Sequence, residues 1–273
     1  MTKVREPRAL LVPAILLLTI AFVIPVAWMM FASILDADGG FTLDNFRRLF
    51  ASDYAMAAAW RSLRLSILQT VITMLLAIPL AYIMTRVTAR LRILMLVIVI
   101  LPLMTSIVVR TFGWVVLMGP NGLLGQIPGL KFLADSSQGM LGTEMGIVIA
   151  MVQVLLPFAV LTTVGVIAGI DPKVEEASRT LGASFLTTVR RVIVPLAVPG
   201  IAAGATLVFA LSVSSFITPN LIGGKQLPVL ANTIYVDATV NLDWPYAAAQ
   251  AVLLFVGVFL VLAAVARLGK GKA

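Results

Sequence analysis

The chain has 273 residues, of which 60% are hydrophobic and 12% charged, and its net charge is +8. A soluble domain has about 45–50% apolar and about 25% charged residues, so this composition indicates an integral membrane protein. Because histidine and cysteine are absent, disulfides, thiolate or imidazole metal sites and Cys- or His-based catalysis are excluded, and we expect no metal site.

Six stretches that are poor in charged residues predict six membrane-spanning helices, since one span needs about 20 apolar residues. We expect an all-α membrane protein with a single transmembrane domain over residues 1–273. The predicted spans lie at about 9–35, 63–85, 91–117, 145–170, 192–218 and 244–267, with a loop at 171–191. The third span is the least regular because it contains Pro102, which interrupts helical hydrogen bonding.

The distribution of basic residues predicts the orientation of the spans. If the N-terminus is cytoplasmic, 13 of the 20 Lys and Arg fall on the inside. The positive-inside rule then places both termini and the 171–191 loop in the cytoplasm. Anionic lipid headgroups account for the net positive charge, so we expect contact with membrane lipid and none with nucleic acid.

Polar residues inside the spans are candidates for the wall of a solute pathway, because broken or polar helices at membrane depth line cavities. The candidates are Thr105 and Ser106 in the third span, Gln153 in the fourth, and Ser212, Ser215, Phe216, Thr218 and Asn220 in the fifth. The alternative is that these small and polar residues only pack helices against one another.

Ionisable residues within the predicted spans are few. No Asp or Glu lies in any of them, which argues against a proton-driven carrier. Arg110, at the outer end of the third span, either extends toward the interface or helps to attract an anion.

The loop between the fourth and fifth spans has helix signals of its own. Asp171 can cap a helix that starts with Pro172, and Glu175 and Glu176 then lie near its positive N-terminal end. Gly182 permits a sharp turn into a second helix near Ser184. An ordinary capped surface helix would account for each of these residues taken one at a time. It would not account for their spacing to the apolar segment that follows.

This spacing resembles the EAA loop of ABC-importer permeases: Glu176-Ala177-Ser178, then Gly182, then Val192-Ile193-Val194-Pro195. The resemblance implies a cytoplasmic coupling helix that inserts into a groove of an ATP-binding subunit. The residues it assigns to this contact are Glu175, Glu176, Ala177, Ser178, Leu181 and Gly182. Of these, Glu176 would pair with a basic residue of the ATPase.

Most of the chain is similar to permeases of the spermidine/putrescine type. Of the two permease types in that family, it looks more like the first, the PotB-like type. The motifs that carry this resemblance are TLDNF at 42–46, LLPF at 155–158 and DWP at 243–245. The resemblance implies a bacterial inner-membrane protein that pairs with a homologous second permease, two ATP-binding subunits and a periplasmic solute-binding protein. The solute would be a polyamine or a related opine- or aminophosphonate-type compound.

The chain has no glycine-lysine motif for nucleotide phosphates. We therefore expect no enzymatic activity and no bound cofactor, with ATP and magnesium held by the partner ATPase. The alternative is a self-contained secondary carrier or channel, which would have no use for the coupling loop. An intramembrane enzyme is disfavoured because the chain lacks the groups that such chemistry requires.

Overall fold

The structure is a computed structural model that describes residues 8–36, 39–120, 122–123 and 139–270. Helices account for most of these residues. They are α1 (Arg8–Leu18), α2 (Ile24–Ala32), α3 (Asp44–Ala51), α4 (Asp53–Arg86), α5 (Ala89–Ile100), α6 (Ile107–Met118), α7 (Glu144–Ala168), α8 (Pro172–Thr180), α9 (Phe185–Thr188), α10 (Val194–Val213), α11 (Ile217–Gly223), α12 (Leu230–Thr239) and α13 (Trp244–Lys270).

Five continuous helical stretches in the described ranges are long and apolar enough to cross a membrane. They are Ile15–Ala32, Asp53–Arg86, Glu144–Ala168, Phe185–Val213 and Trp244–Val265. A sixth candidate consists of Ala89–Met104 and Ile107–Met118, which meet at an angle of 96°. The all-α membrane fold is therefore confirmed, and the third predicted span is broken rather than straight. The chain ends, 1–7 and 271–273, lie outside the described residues.

The fifth span ends earlier than predicted. We expected helix to residue 218, but α10 stops at Val213 and α11 begins at Ile217. A helix that continued through this point would bring the ring of Pro219 against the carbonyl of Ser215 and would lack one amide donor. The Ser214 hydroxyl also donates to the carbonyl oxygen of Ala210 at 2.8 Å, a local bond that favours the end of a helix.

The contacts divide the chain into two compact units. One unit contains the described residues up to Ala57 together with Thr233–Val256, and the other contains Ala58–Asn232 with the residues from Gly257 onward. A single domain over 1–273 stays a prediction. The coupling loop and all of the predicted pathway residues belong to the second unit, whose core is built around α7, where Ile147, Met151 and Leu155 are buried.

Helices α7 and α10 pack closely through two glycines of α10. A Cβ atom on Gly200 would lie 2.0 Å from Cγ2 of Val166, and one on Gly204 would lie 2.7 Å from Oγ1 of Thr162. Their spacing of four residues places both on one face of α10, the arrangement that lets membrane helices approach closely. Since Val166 is β-branched and has little rotamer freedom, it cannot move aside easily.

We expect Gly200→Ala to destabilise the protein by about 1–3 kcal/mol, because the added methyl overpacks the α7–α10 contact. Thermal unfolding of the purified protein in detergent measures the effect. Gly165→Ala on α7 is the matched control, since no atom lies within 4 Å of a Cβ at that position. Equal melting temperatures for the two variants would contradict the close packing.

Candidate functional site

The coupling segment, residues 171–191, folds as two short helices joined by a glycine turn. The Asp171 side chain accepts a hydrogen bond from the Lys173 amide at 2.9 Å, which confirms the predicted start of α8. Gly182 has φ +83°, a backbone conformation that residues with a Cβ atom rarely adopt. Ser184 then caps α9 by accepting from the Thr187 amide at 3.3 Å.

One side of α8 is fixed to the end of α4. Tyr82 Oη donates to Glu175 Oε1 at 2.6 Å, and Arg86 Nε donates to Glu175 Oε2 at 3.0 Å. The Phe185 ring packs edge-on against Tyr82, with 5.7 Å between ring centroids. Both helices of the coupling segment are therefore attached to the same spanning helix.

The Glu175 carboxyl remains ionised in this position. Burial by itself raises its pKa, but the hydrogen bonds from Tyr82 and Arg86 and the charges of Arg86 and Arg179 outweigh that effect. The pKa therefore lies below its ordinary value. The contact is fully present at neutral pH, and its contribution is lost as the pH falls through this lowered pKa.

The opposite side of α8 faces outward. Glu176, Ala177 and Gly182 are exposed, and the Leu181 side chain is 89% exposed. Ser178 differs from them, because it is half-buried and its hydroxyl lies 3.0 Å from that of Thr188. Of the six predicted coupling residues, four are therefore available to a partner, while Glu175 and Ser178 contact the chain itself.

We expect Glu175→Ala to release α8 from α4, because it removes both hydrogen bonds to a charged carboxylate. Amide hydrogen exchange over residues 172–180 should become faster, by roughly tenfold. Glu176→Ala is the matched control, since it removes the neighbouring carboxylate from the exposed side. Equal exchange rates in the two variants would rule out Glu175 as the attachment.

Sequence reasoning missed the partners of Glu175 on α4. Tyr82 and Arg86 are four residues apart and share one face of that helix. Arg92 adds a second support at this end, since its Nε donates to the Met84 carbonyl at 2.9 Å and its Nη2 to the Thr85 carbonyl at 3.0 Å. The signal that could have identified these partners was a tyrosine and an arginine on one face at the end of an apolar span.

The predicted pathway residues of the third span lie at its break. Thr105 and Ser106 are exposed between the turn Leu101–Met104 and α6. Arg110 reaches back over this break, where its Nη2 donates to the carbonyls of Pro102 and, at 3.1 Å, Thr105. The arginine thus adds to the bonds that Thr105 already makes to the Pro102 carbonyl, and it gives the Thr105 carbonyl a donor at the break.

Three of the other predicted pathway residues are paired with polar residues of other helices. Ser212 donates to the Oε1 of Gln69 on α4, and the Thr218 hydroxyl lies 2.9 Å from that of Thr111 on α6. Both serine and threonine are buried, which favours the packing interpretation for them. Gln153 is half-buried and accepts from Trp114 Nε1 at 3.2 Å.

The remaining three lie at or just after the break between α10 and α11. Ser215 and Phe216 are half-buried, whereas Asn220 is exposed. The Oδ1 of Asn220 accepts a hydrogen bond from Asn232 Nδ2 at 3.4 Å. With Thr105 and Ser106, Asn220 is therefore one of three predicted pathway residues that the structure leaves accessible.

A buried polar stripe on α4 escaped the sequence analysis. Ser62, Ser66, Gln69 and Thr73 are each at most 3% exposed. They recur at intervals of three or four residues, so they share the face of α4 that points into the protein. This spacing was the signal that could have identified them.

Comparison with known proteins decides the family. A family model described as "Binding-protein-dependent transport system inner membrane component" matches residues 77–272. The chain belongs to this family. The matched region includes the whole coupling segment and every predicted pathway residue.

Relatives of this permease agree with that assignment. The spermidine/putrescine transport system permease protein PotB of Haemophilus influenzae is 32% identical over 239 residues, which cover 85% of this chain and 83% of that protein. The chain is therefore a permease subunit of an ABC importer, a transport component whose energy comes from ATP hydrolysis in a separate subunit.

Solved structures show the same fold. A bacterial ABC transporter involved in the import of the acidic polysaccharide alginate matches with a TM-score of 0.80 and 20% identity, over 96% of this chain and 94% of that one. The same kind of transporter in complex with an alginate pentasaccharide-bound periplasmic protein gives a TM-score of 0.75 and 19% identity, over 94% and 91% of the two chains.

Proposed function

We propose that this permease forms half of the translocation pathway of a polyamine importer in a bacterial cytoplasmic membrane. The other half is a homologous second permease, and a periplasmic binding protein delivers the solute. Two ATP-binding subunits hold ATP and magnesium and drive transport. The similarity to a spermidine/putrescine permease over 85% of the chain carries the choice of solute.

The outward side of α8 is the contact that we assign to the ATP-binding subunits. It offers the Glu176 carboxylate, the small side chain of Ala177 and the exposed Leu181. A basic residue beside an apolar groove would complement this surface. Because Glu175 attaches the same helix to α4, movement of a docked partner would be transmitted to a spanning helix.

We place the coupling segment and both chain termini in the cytoplasm. The support is the excess of Lys and Arg on the segments that share that side. Arg90 and Arg191 are examples, since each lies near the end of an apolar helical stretch and is exposed. Basic residues in such positions also favour contact with anionic lipid headgroups.

We expect Glu176→Arg to abolish co-purification of the ATP-binding subunits with the tagged permease, because it reverses the charge at the docking surface. The second permease should still co-purify, since we assign α8 to the contact with the ATP-binding subunits. Mass spectrometry of the complex from native membranes identifies what remains bound.

The control for this experiment is Arg90→Glu, which makes a charge change of the same size at an exposed position on the same predicted side. It should retain all subunits. If the wild-type chain purifies alone and moves solute in liposomes without ATP, the importer assignment is wrong and a self-contained carrier replaces it.

A second candidate solute class, a compound with an anionic group such as an opine or aminophosphonate, is favoured by Arg110. Its guanidinium is half-buried beside the exposed Thr105 and Ser106. Its Nε is buried and has no hydrogen-bond partner in the described part of the chain. No Asp or Glu lies in residues 91–117, so an anionic group would meet no repulsion from this span.

Uptake into proteoliposomes that contain the whole importer separates the two solute classes. We expect ATP-dependent uptake of labelled spermidine and putrescine. The importer with Arg110→Met should transport these polyamines at least as well as the importer with Arg110→Lys. Both variants lose the guanidinium contacts to the broken span, so they differ mainly in charge. If the importer instead takes up an aminophosphonate, and this uptake falls in the Arg110→Met variant but not in the Arg110→Lys variant, the anionic solute class would be established.

A further inference from the structure

A small cavity lies where α4, α7, α10 and α11 meet. Its volume is about 10 Å³. Polar side chains supply half of its lining: Ser62, Ser66, Gln69, Ser212 and Ser215. The cavity therefore joins the polar stripe of α4 to the break that follows α10.

Three of these side chains, Ser62, Ser212 and Gln69, already make hydrogen bonds. The Ser62 hydroxyl donates to the Ala58 carbonyl at 2.9 Å and accepts from the Leu230 amide at 2.7 Å. Ser212 donates to Gln69 Oε1.

Three polar groups at the cavity remain without partners. In the described part of the chain, no hydrogen bond joins Ser66 Oγ, Gln69 Nε2 or Ser215 Oγ to another group. Gln69 is 2% exposed and Ser66 is 3% exposed, so both side chains have little contact with solvent. Leaving such groups unpaired costs free energy, and native proteins rarely do so.

We propose that this cavity holds one ordered water molecule, bound by Ser66, Gln69 and Ser215. A single buried water needs a cavity of about 10–15 Å³ and two to four polar partners, and this cavity meets both conditions. The water accepts from Gln69 Nε2 and exchanges hydrogen bonds with the two serine hydroxyls. All three unpaired groups are thereby satisfied.

A cation is a poorer occupant than a neutral water. The cavity is lined by no carboxylate, so a buried cation would have no charge to offset its loss of hydration. Only the Oε1 of Gln69 and the hydroxyl oxygens would be available as ligands, and Oε1 already accepts from Ser212.

The water has a structural role at the break of the fifth span. Ser215 belongs to the segment between Val213 and Ile217. Irregular backbone at membrane depth is tolerated where it is buried in protein and its polar groups find partners. The water links this segment to α4 by bridging hydrogen bonds, which are enthalpically nearly as good as direct ones.

The direct test is an experimental density map of the complex in nanodiscs, at a resolution that shows ordered water. We expect one peak within about 2.6–3.2 Å of Ser66 Oγ and of the Gln69 amide. An empty cavity in such a map, or one closed by a moved side chain, would overturn the proposal.

The sign of a stability change gives an independent test. If the water is present, Ser66→Ala removes one of its partners and should lower the melting temperature of the complex by roughly 2–4 °C. In a dry cavity the same change removes an unpaired hydroxyl, so the melting temperature would rise. Ser214→Ala is the control, since Ser214 is exposed at the same break and does not line the cavity.

The choice of salt separates water from sodium. We expect the wild-type complex to melt at the same temperature in sodium chloride and in choline chloride at equal ionic strength. Stabilisation by sodium that Ser66→Ala abolishes would show that the cavity binds a cation instead.

Discussion

The chain depends on one constraint, namely that backbone amides and carbonyls removed from water must be paired within the protein. Continuous helices meet this requirement along most of the spans. Where the third span is interrupted, side chains contribute, as Arg110 does by donating to the carbonyls of Pro102 and Thr105. Helices α6 and α11, which follow the two breaks, are joined by the hydroxyls of Thr111 and Thr218.

In the proposed function, the coupling segment has to satisfy two opposing demands. It would have to be attached to the spans, so that movement is transmitted, and also remain accessible to a partner. Adjacent glutamates divide these roles, because consecutive residues of a helix point about 100° apart. Glu175 is held by Tyr82 and Arg86, while Glu176 stays exposed. Two adjacent glutamates that look equivalent in the sequence therefore lie on different sides of α8, one attached to α4 and one exposed.

Local patterns predicted a large part of the fold and some of the candidate site. The start of α8 followed from Asp171 and Pro172, since capping depends on neighbouring residues alone. The end of α10 did not follow, although Pro219 supplied a signal. Ser212 was predicted to line a pathway because it is polar, yet it is buried against Gln69. Polarity alone does not reveal whether a side chain faces a pathway or another helix.

The sequence by itself determined that this is a multi-span membrane protein and predicted a cytoplasmic coupling loop, because hydropathy, charge bias and motif spacing are properties of contiguous residues. Only the tertiary structure decided which polar residues are paired and which are accessible. Tyr82 and Glu175 are 93 positions apart, and Gln69 and Ser212 are 143 apart. Such pairs arise from the way helices face one another, and no local pattern contains that information.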